Sequence, residues 1–194
     1  MQPSEYYSQR LEFWRSTHVR ADAQYHRLVR ARLATGLIAV AVAALAFGAL
    51  LISPWWLLAP LAIFIGLAVV HARVDRERST AARAIAYHER STARLENQWI
   101  GRGSPGDGFR NPKHVYADDL DLFGRGSLFE LLSTARTQAG ERTLAQWLLA
   151  PSEASAVLAR QQAVAELRSR CDLREELTLI GDDVRAAVDA KTLG

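Results

Sequence analysis

The chain has 194 residues, with 24 lysines and arginines against 21 aspartates and glutamates, a formal charge of +3 and a pI near 9.3. A single cysteine, Cys171, excludes a disulfide framework or a cysteine-rich zinc cluster and suits a reducing compartment. The basic excess is mostly arginine flanking two apolar runs, so topology and lipid contact account for it better than a nucleic-acid-binding stripe.

Residues 1–32 read as a cytoplasmic amphipathic helix, because Tyr7, Leu11, Trp14, His18, Ala21, Tyr25 and Leu28 recur in steps of four and three. A second seam at 73–100 runs through Val74, Arg78, Ala81, Ile85, His88, Thr92, Leu95 and Trp99. Paired antiparallel, the two helices make a stalk, with His18, Arg78, His88 and Thr92 as polar interruptions. The competing arrangement lays the first helix on a lipid surface with Trp14 inserted.

Between them, residues 33–72 read as a transmembrane hairpin. Leu33 to Ile52 carries no charge over a length that crosses about 30 Å of hydrocarbon, and Trp55 to Ala72 forms a second, shorter span. Ser53 and Pro54 make the turn, Trp55 and Trp56 suit the interfacial belt, and Pro60 is tolerated near a helix start. A cleaved signal peptide would not begin behind thirty charged and helical residues, nor be followed by another span. Arginines crowd both ends (Arg20, Arg27, Arg30 and Arg32 before, Arg73, Arg76 and Arg78 after) and the turn has none. The positive-inside rule then places both termini in the cytoplasm, as in a multi-pass protein of the inner (cytoplasmic) membrane. Small residues such as Gly36, Ala43 and Gly66 favour close packing within the hairpin over a dimer seam. Neither Leu33 to Ile52 nor Trp55 to Val70 carries an acidic or basic residue of the kind that marks a transport path; His71 lies only in the extension of the second span.

Residues 101–118 form a Gly/Pro-rich linker. Gly101, Gly103 and Gly106 satisfy G-x-G-x-x-G, but the preceding helix and Pro105 give the wrong context for a dinucleotide loop. His114 with Asp118, Asp119 and Asp121 is a weak metal pattern that reads better as capping and surface, and no metal site is expected. Arg102, Arg110, Arg125 and Arg136 are the candidates for a phosphate-facing cluster near the loop.

The module at 119–194 is a series of short capped helices. Ser127 and Glu130 form a capping box ahead of Leu128, Leu131 and Leu132. Thr137 and Gly140 interrupt the pattern, a second helix runs through Leu144, Trp147 and Leu148, and Pro151 ends it. Ser152 caps a third helix with Arg160 and Gln161. Asp172 and Glu175 form a further cap pair, Gly181 stops that helix, and Asp182 or Asp183 starts a last one through Val184, Ala187 and Val188.

Taken in order, Ser127, Thr137, Gly140, Arg142, Leu144, Trp147, Leu148, Pro151, Arg160 and Gln161 resemble the start of the core (lever) domain of MutS-family DNA mismatch-repair ATPases. Together with the apolar runs and seams read above, this gives an all-α fold: a transmembrane hairpin with cytoplasmic helical extensions, followed by a small helical module that, as the resemblance implies, is the incomplete start of a MutS core. The resemblance also implies a DNA-binding, ATP-dependent parent protein that acts as a homodimer. The chain itself lacks the parent's catalytic parts. Neither Lys113 nor Lys191 completes a P-loop, so ATP and magnesium are expected only in a longer protein, and no catalytic or cofactor-binding residue is expected here. No phenylalanine is followed two positions later by glutamate, so the mismatch wedge is missing as well. The expected role is a membrane anchor and the beginning of a lever, a fragment ending at Gly194, with lipid as partner and DNA engaged only through further C-terminal domains. The alternative is a non-enzymatic membrane adaptor whose helical module docks a protein partner.

Overall fold

A computed structural model of the chain describes residues 2–48, 53–135 and 137–192, with side chains, those at 48 and 54 apart, described as far as Gly181. Residues 49–52 at the end of the first predicted span, Arg136 of the basic cluster, and the side chains of Asp182, Asp183, Val184, Ala187 and Val188 lie outside the described residues. The protein is all-α. Among the described residues there are six α-helices, α1 (Pro3–Ala43), α2 (Leu58–Leu95), α3 (Leu128–Leu132), α4 (Gln138–Leu149), α5 (Ala154–Arg168) and α6 (Cys171–Thr192), and no strand. A π turn at Ala44–Gly48 follows α1, and 3-10 turns occupy Pro54–Leu57 and Asp107–Phe109.

The chain divides into two compact units, one of Leu11–Ile85 and one of Met1–Arg10 with Ala86–Gly194. In the first, α1 and α2 run antiparallel. Asp22 pairs with Arg78 at 2.8 Å, the rings of Tyr25 and His71 lie 4.6 Å apart, and the Arg32 guanidinium sits 5.0 Å above the Phe64 ring. These contacts descend α2 as they ascend α1. Ala21, Val74, Ala81 and Ala84 are buried, so the small residues of the seam let the helices approach closely. Arg78 belongs to this seam because it lies 4.9 Å over the Tyr25 ring while pairing with Asp22, which gives its charge two partners.

Both α1 and α2 contain a stretch long and apolar enough to cross a membrane. Those stretches are barely covered, only 6% of one and 11% of the other being buried within the protein. Leu33 is 65% exposed and Val40 68%.

In the second unit, the core is a cluster of Ala117, Leu122, Phe123, Phe129 and Ala145, with Phe109, Tyr116, Leu144, Leu148 and Leu149 packed around it. Phe109, Phe123 and Phe129 pack with centroids 5.5 to 6.1 Å apart. The glycine- and proline-rich segment is therefore partly folded, since Phe109 and Ala117 lie in this core.

Two helix ends differ from the sequence reading. The helix expected to reach residue 100 stops at Leu95, because Asn97 turns the backbone left-handed (φ 57°) and takes the Trp99 indole N–H on its side chain at 3.1 Å. Conversely, Gly181 does not stop a helix: α6 runs unbroken from Cys171 to Thr192. An interior glycine weakens a helix by about 1 kcal/mol relative to alanine and does not by itself terminate one.

Candidate functional site

The landmarks of the helical module gather at two joints. At the first, Ser127 caps α3 by accepting the Glu130 amide at 3.2 Å, and Thr137 caps α4 by accepting the Gly140 amide at 3.1 Å. Thr137 thus begins a helix, where its place in the apolar pattern predicts only an interruption. Gly140 is close-packed: a β-carbon there would stand 3.2 Å from Ala135 Cβ. At the second joint, α4 ends at Leu149 and Pro151 follows, as Pro151's restriction of its predecessor requires. Ser152 does not cap α5. Instead Glu153 occupies the cap position without a side-chain bond, and the Ser152 hydroxyl accepts from Arg160 Nη1 at 2.9 Å. The same guanidinium stacks 4.0 Å over the Trp147 ring, so Trp147, Ser152 and Arg160 lock the α4–α5 turn together. Leu144 and Leu148 face the core, while Arg142 and Gln161 are exposed.

Glu130 does more than close a capping box. The Ser127 amide is already bonded to the Gly124 carbonyl, so the glutamate reaches past it. One carboxylate oxygen accepts from the Gly126 amide at 2.7 Å, and the other from the amides of Gly101 at 2.6 Å and Gly103 at 3.2 Å. The side chain is buried. Burial alone would push its pKa up, but the amides of Gly126, Gly103 and Gly101, with the nearby Arg125 charge, outweigh that and hold it below the ordinary glutamate range. Gly106, third in the G-x-G-x-x-G spacing, has φ +71° and lies against a ring; a β-carbon there would be 2.6 Å from Phe129 Cδ1. The glycine loop does cradle an anion, but the anion is the chain's own carboxylate. These residues do not fit a nucleotide or its magnesium, because the amides that would take a phosphate are committed to Glu130.

Two of the candidate metal ligands, His114 and Asp118, have other partners. His114 Nε2 lies 2.9 Å from the Leu149 carbonyl, which can only accept, and Asp118 pairs with Arg110 at 3.0 Å. Among the described residues no three metal-ligating side chains converge.

Asp172 and Glu175 do not act as the cap pair that their spacing predicts. Glu175 is instead buried, taking Arg10 on both carboxylate oxygens at 2.6 and 3.0 Å and His88 Nε2 at 2.9 Å. Arg10 is held above its ordinary pKa by that hydrogen bond, against the opposing effect of its own burial. Asp172 accepts the Tyr6 hydroxyl at 2.8 Å, and burial followed by this bond raises the Tyr6 pKa. A glutamate in the first turns of a helix reads as surface; only the position of Arg10, 165 residues away, reveals it as buried.

Residues 114–191 match the family model of MutS domain III. The matched segment covers α3 to α6 and includes every landmark from Ser127 to Gln161, so this part of the chain is similar to MutS domain III. It begins at His114, within the segment read as a linker, which agrees with the packing of Tyr116 and Ala117 into the same core as Phe129 and Ala145. No curated protein and no solved structure matches the chain.

Proposed function

We propose that this chain is the membrane-anchored portion of a MutS-like protein, supplying a two-span anchor, an antiparallel stalk and the start of the lever domain. On this reading the protein sits in the cytoplasmic membrane with both ends inside. DNA binding and ATP hydrolysis belong to residues other than these, and homodimerisation to the longer protein.

One observation carries the anchor: the apolar stretches of α1 and α2 remain almost wholly uncovered. In a soluble fold such stretches form the core, whereas side chains that face lipid need no protein cover. Among the described residues the spans are helical, the form in which hydrocarbon tolerates a backbone. The MutS-related segment supports the second half of the reading. The Glu130-filled glycine loop supports the assignment of nucleotide chemistry elsewhere.

The test is extraction of the full chain from vesicles with alkaline carbonate. Retention in the pellet is expected, and release into the supernatant would sink the anchor. The purified chain in detergent is expected to hydrolyse no ATP and to bind DNA weakly and in a strongly salt-dependent way; tight, mismatch-selective binding at physiological salt would contradict the assignment.

The adaptor reading is favoured by one specific feature. Leu158 and Val164 on α5 and Leu177 and Ile180 on α6 are more than half exposed, which leaves apolar surface for another protein to cover. An open reading frame continuing into a P-loop would favour the MutS-like assignment, and its absence the adaptor.

A further inference from the structure

The α1–α2 pairing places one arginine in a position that hydrocarbon alone cannot accommodate. Arg32 lies beside Phe64, and Phe64 is eight residues inside the end of the apolar run at Ala72. At 1.5 Å per helical residue, Arg32 therefore sits about 12 Å deeper than the last apolar residue of α2. On the cytoplasmic side of Phe64, Ile65, Val69 and Val70 still present about half their surface. Among the described residues Arg32 meets the Phe64 ring and no carboxylate. An unneutralised guanidinium at that depth is costly, and a long side chain relieves the cost by reaching for an anion at the interface.

Directly beside Arg32 a groove of about 470 Å³ opens on the same face. Its walls are Leu33, Leu37, Val40 and Phe64. Its floor is Gly36, where an added β-carbon would meet nothing within 4 Å. Apolar walls capped at one end by a cation match an acyl chain capped by an anionic headgroup, and Arg27 and Arg30 extend the basic charge into the preceding turns of α1.

We infer that this groove binds an acidic phospholipid of the cytoplasmic leaflet, its acyl chain along Leu33, Gly36, Leu37 and Val40 and its phosphate on Arg32. The inference rests on the proposed membrane anchor and adds a defined lipid site to it. The bound phosphate neutralises Arg32 and fixes how deep α1 sits against α2.

The experiment uses the full chain in a neutral detergent, titrated with phosphatidylglycerol or with phosphatidylcholine, with retained lipid counted by native mass spectrometry. Preferential retention of phosphatidylglycerol is expected. One arginine at a membrane surface contributes about 1 kcal/mol toward acidic lipid, so R32Q lowers that retention about fivefold. G36L, whose β-carbon meets nothing within 4 Å and whose side chain then occupies the groove, lowers retention of phosphatidylglycerol while leaving Arg32 in place. R20Q, outside the predicted spans, changes nothing. Equal retention of the two lipids, or retention unchanged in both R32Q and G36L, overturns the site. So does a chain that is dimeric in detergent, becomes monomeric in G36L and shows no lipid preference, because the groove would then belong to a second copy. Release of the chain from vesicles by carbonate overturns the anchor and the lipid site together, whereas carbonate resistance without lipid preference overturns the lipid site alone.

Discussion

The Glu130 carboxylate lies 2.6 Å from the Gly101 amide, so a helix-capping residue closes a loop 29 positions earlier in the chain. That contact explains how a sequence can carry the spacing of a nucleotide loop and have no use for a nucleotide. Consecutive backbone N–H groups in a glycine-rich turn make an anion nest whatever anion is supplied. Here it comes from α3, and the loop becomes part of the module's core.

Replacing Glu130 by alanine leaves the amides of Gly101, Gly103 and Gly126 without their acceptor while the Ser127 cap persists. The expected cost is about 1–3 kcal/mol, the penalty for buried donors left unmade. It should appear as a lower midpoint in denaturant unfolding of the detergent-solubilised chain and as faster hydrogen exchange at those three amides. Exchange unchanged at Gly101 would contradict the contact.

The same carboxylate gives stability an acid limb of known sign. Its folded pKa lies below the ordinary value of 4.5, so its contribution is complete above that value and is lost as pH falls through the lower, folded one. Glu130→Gln should flatten this limb. Melting curves of both proteins between pH 6 and about pH 3 would check it.

Two glycines of the loop should respond in opposite ways. Gly106→Ala forces a β-carbon to 2.6 Å from the Phe129 ring in a left-handed conformation, and Phe129 is fully buried and has no room to retreat. A loss of about 1–3 kcal/mol is expected, as for other overpacked sites. Gly108→Ala meets nothing within 4 Å and should stay within about 0.5 kcal/mol of the parent chain. Equal melting points for the two variants would refute this account of the loop.

Much of the architecture was legible because its signals are local. The uncharged run from Leu33, the stop at Pro151 and the cap at Ser127 each depend on residues within one or two helical turns. The antiparallel seam was readable from period alone at Ala21, Val74 and Ala81. What the sequence hid is long-range. Nothing near Glu130 announces Gly101, and nothing near Glu175 announces Arg10 and His88. His88 looked like an imperfection in an apolar seam because its partner lies 87 residues away. Gly181 misled for the opposite reason: a local stop signal was overridden within a helix that continues to Thr192.

The buried group around Glu175 yields a prediction about the second unit. His88 is fully buried and Arg10 partly so, and both point at one carboxylate. Removing one partner of a buried ion pair costs about 3–5 kcal/mol because the remaining charge stays behind unpaired. Glu175→Ala should approach that range, softened by the partial exposure of Arg10. The check is chemical denaturation followed by the fluorescence of Trp99 and Trp147, which belong to this unit. A loss under about 1 kcal/mol would mean that the carboxylate is replaced by water rather than buried among its partners.

The uncovered apolar face of α1 supplies the last test. Ile38 is 58% exposed within the first predicted span, so an arginine there projects mostly away from protein and acts chiefly on the partition into lipid. At the centre of a span such a substitution costs about 2.5–3.5 kcal/mol, less where the side chain can snorkel to the interface. Ile38→Arg should therefore reduce the carbonate-resistant fraction of the chain. Val115→Arg, at a position 89% exposed in the helical module, introduces the same charge and should leave that fraction unchanged. If both variants pellet alike, α1 has no need of lipid around Ile38, and its exposed leucines and valines must be covered by protein instead.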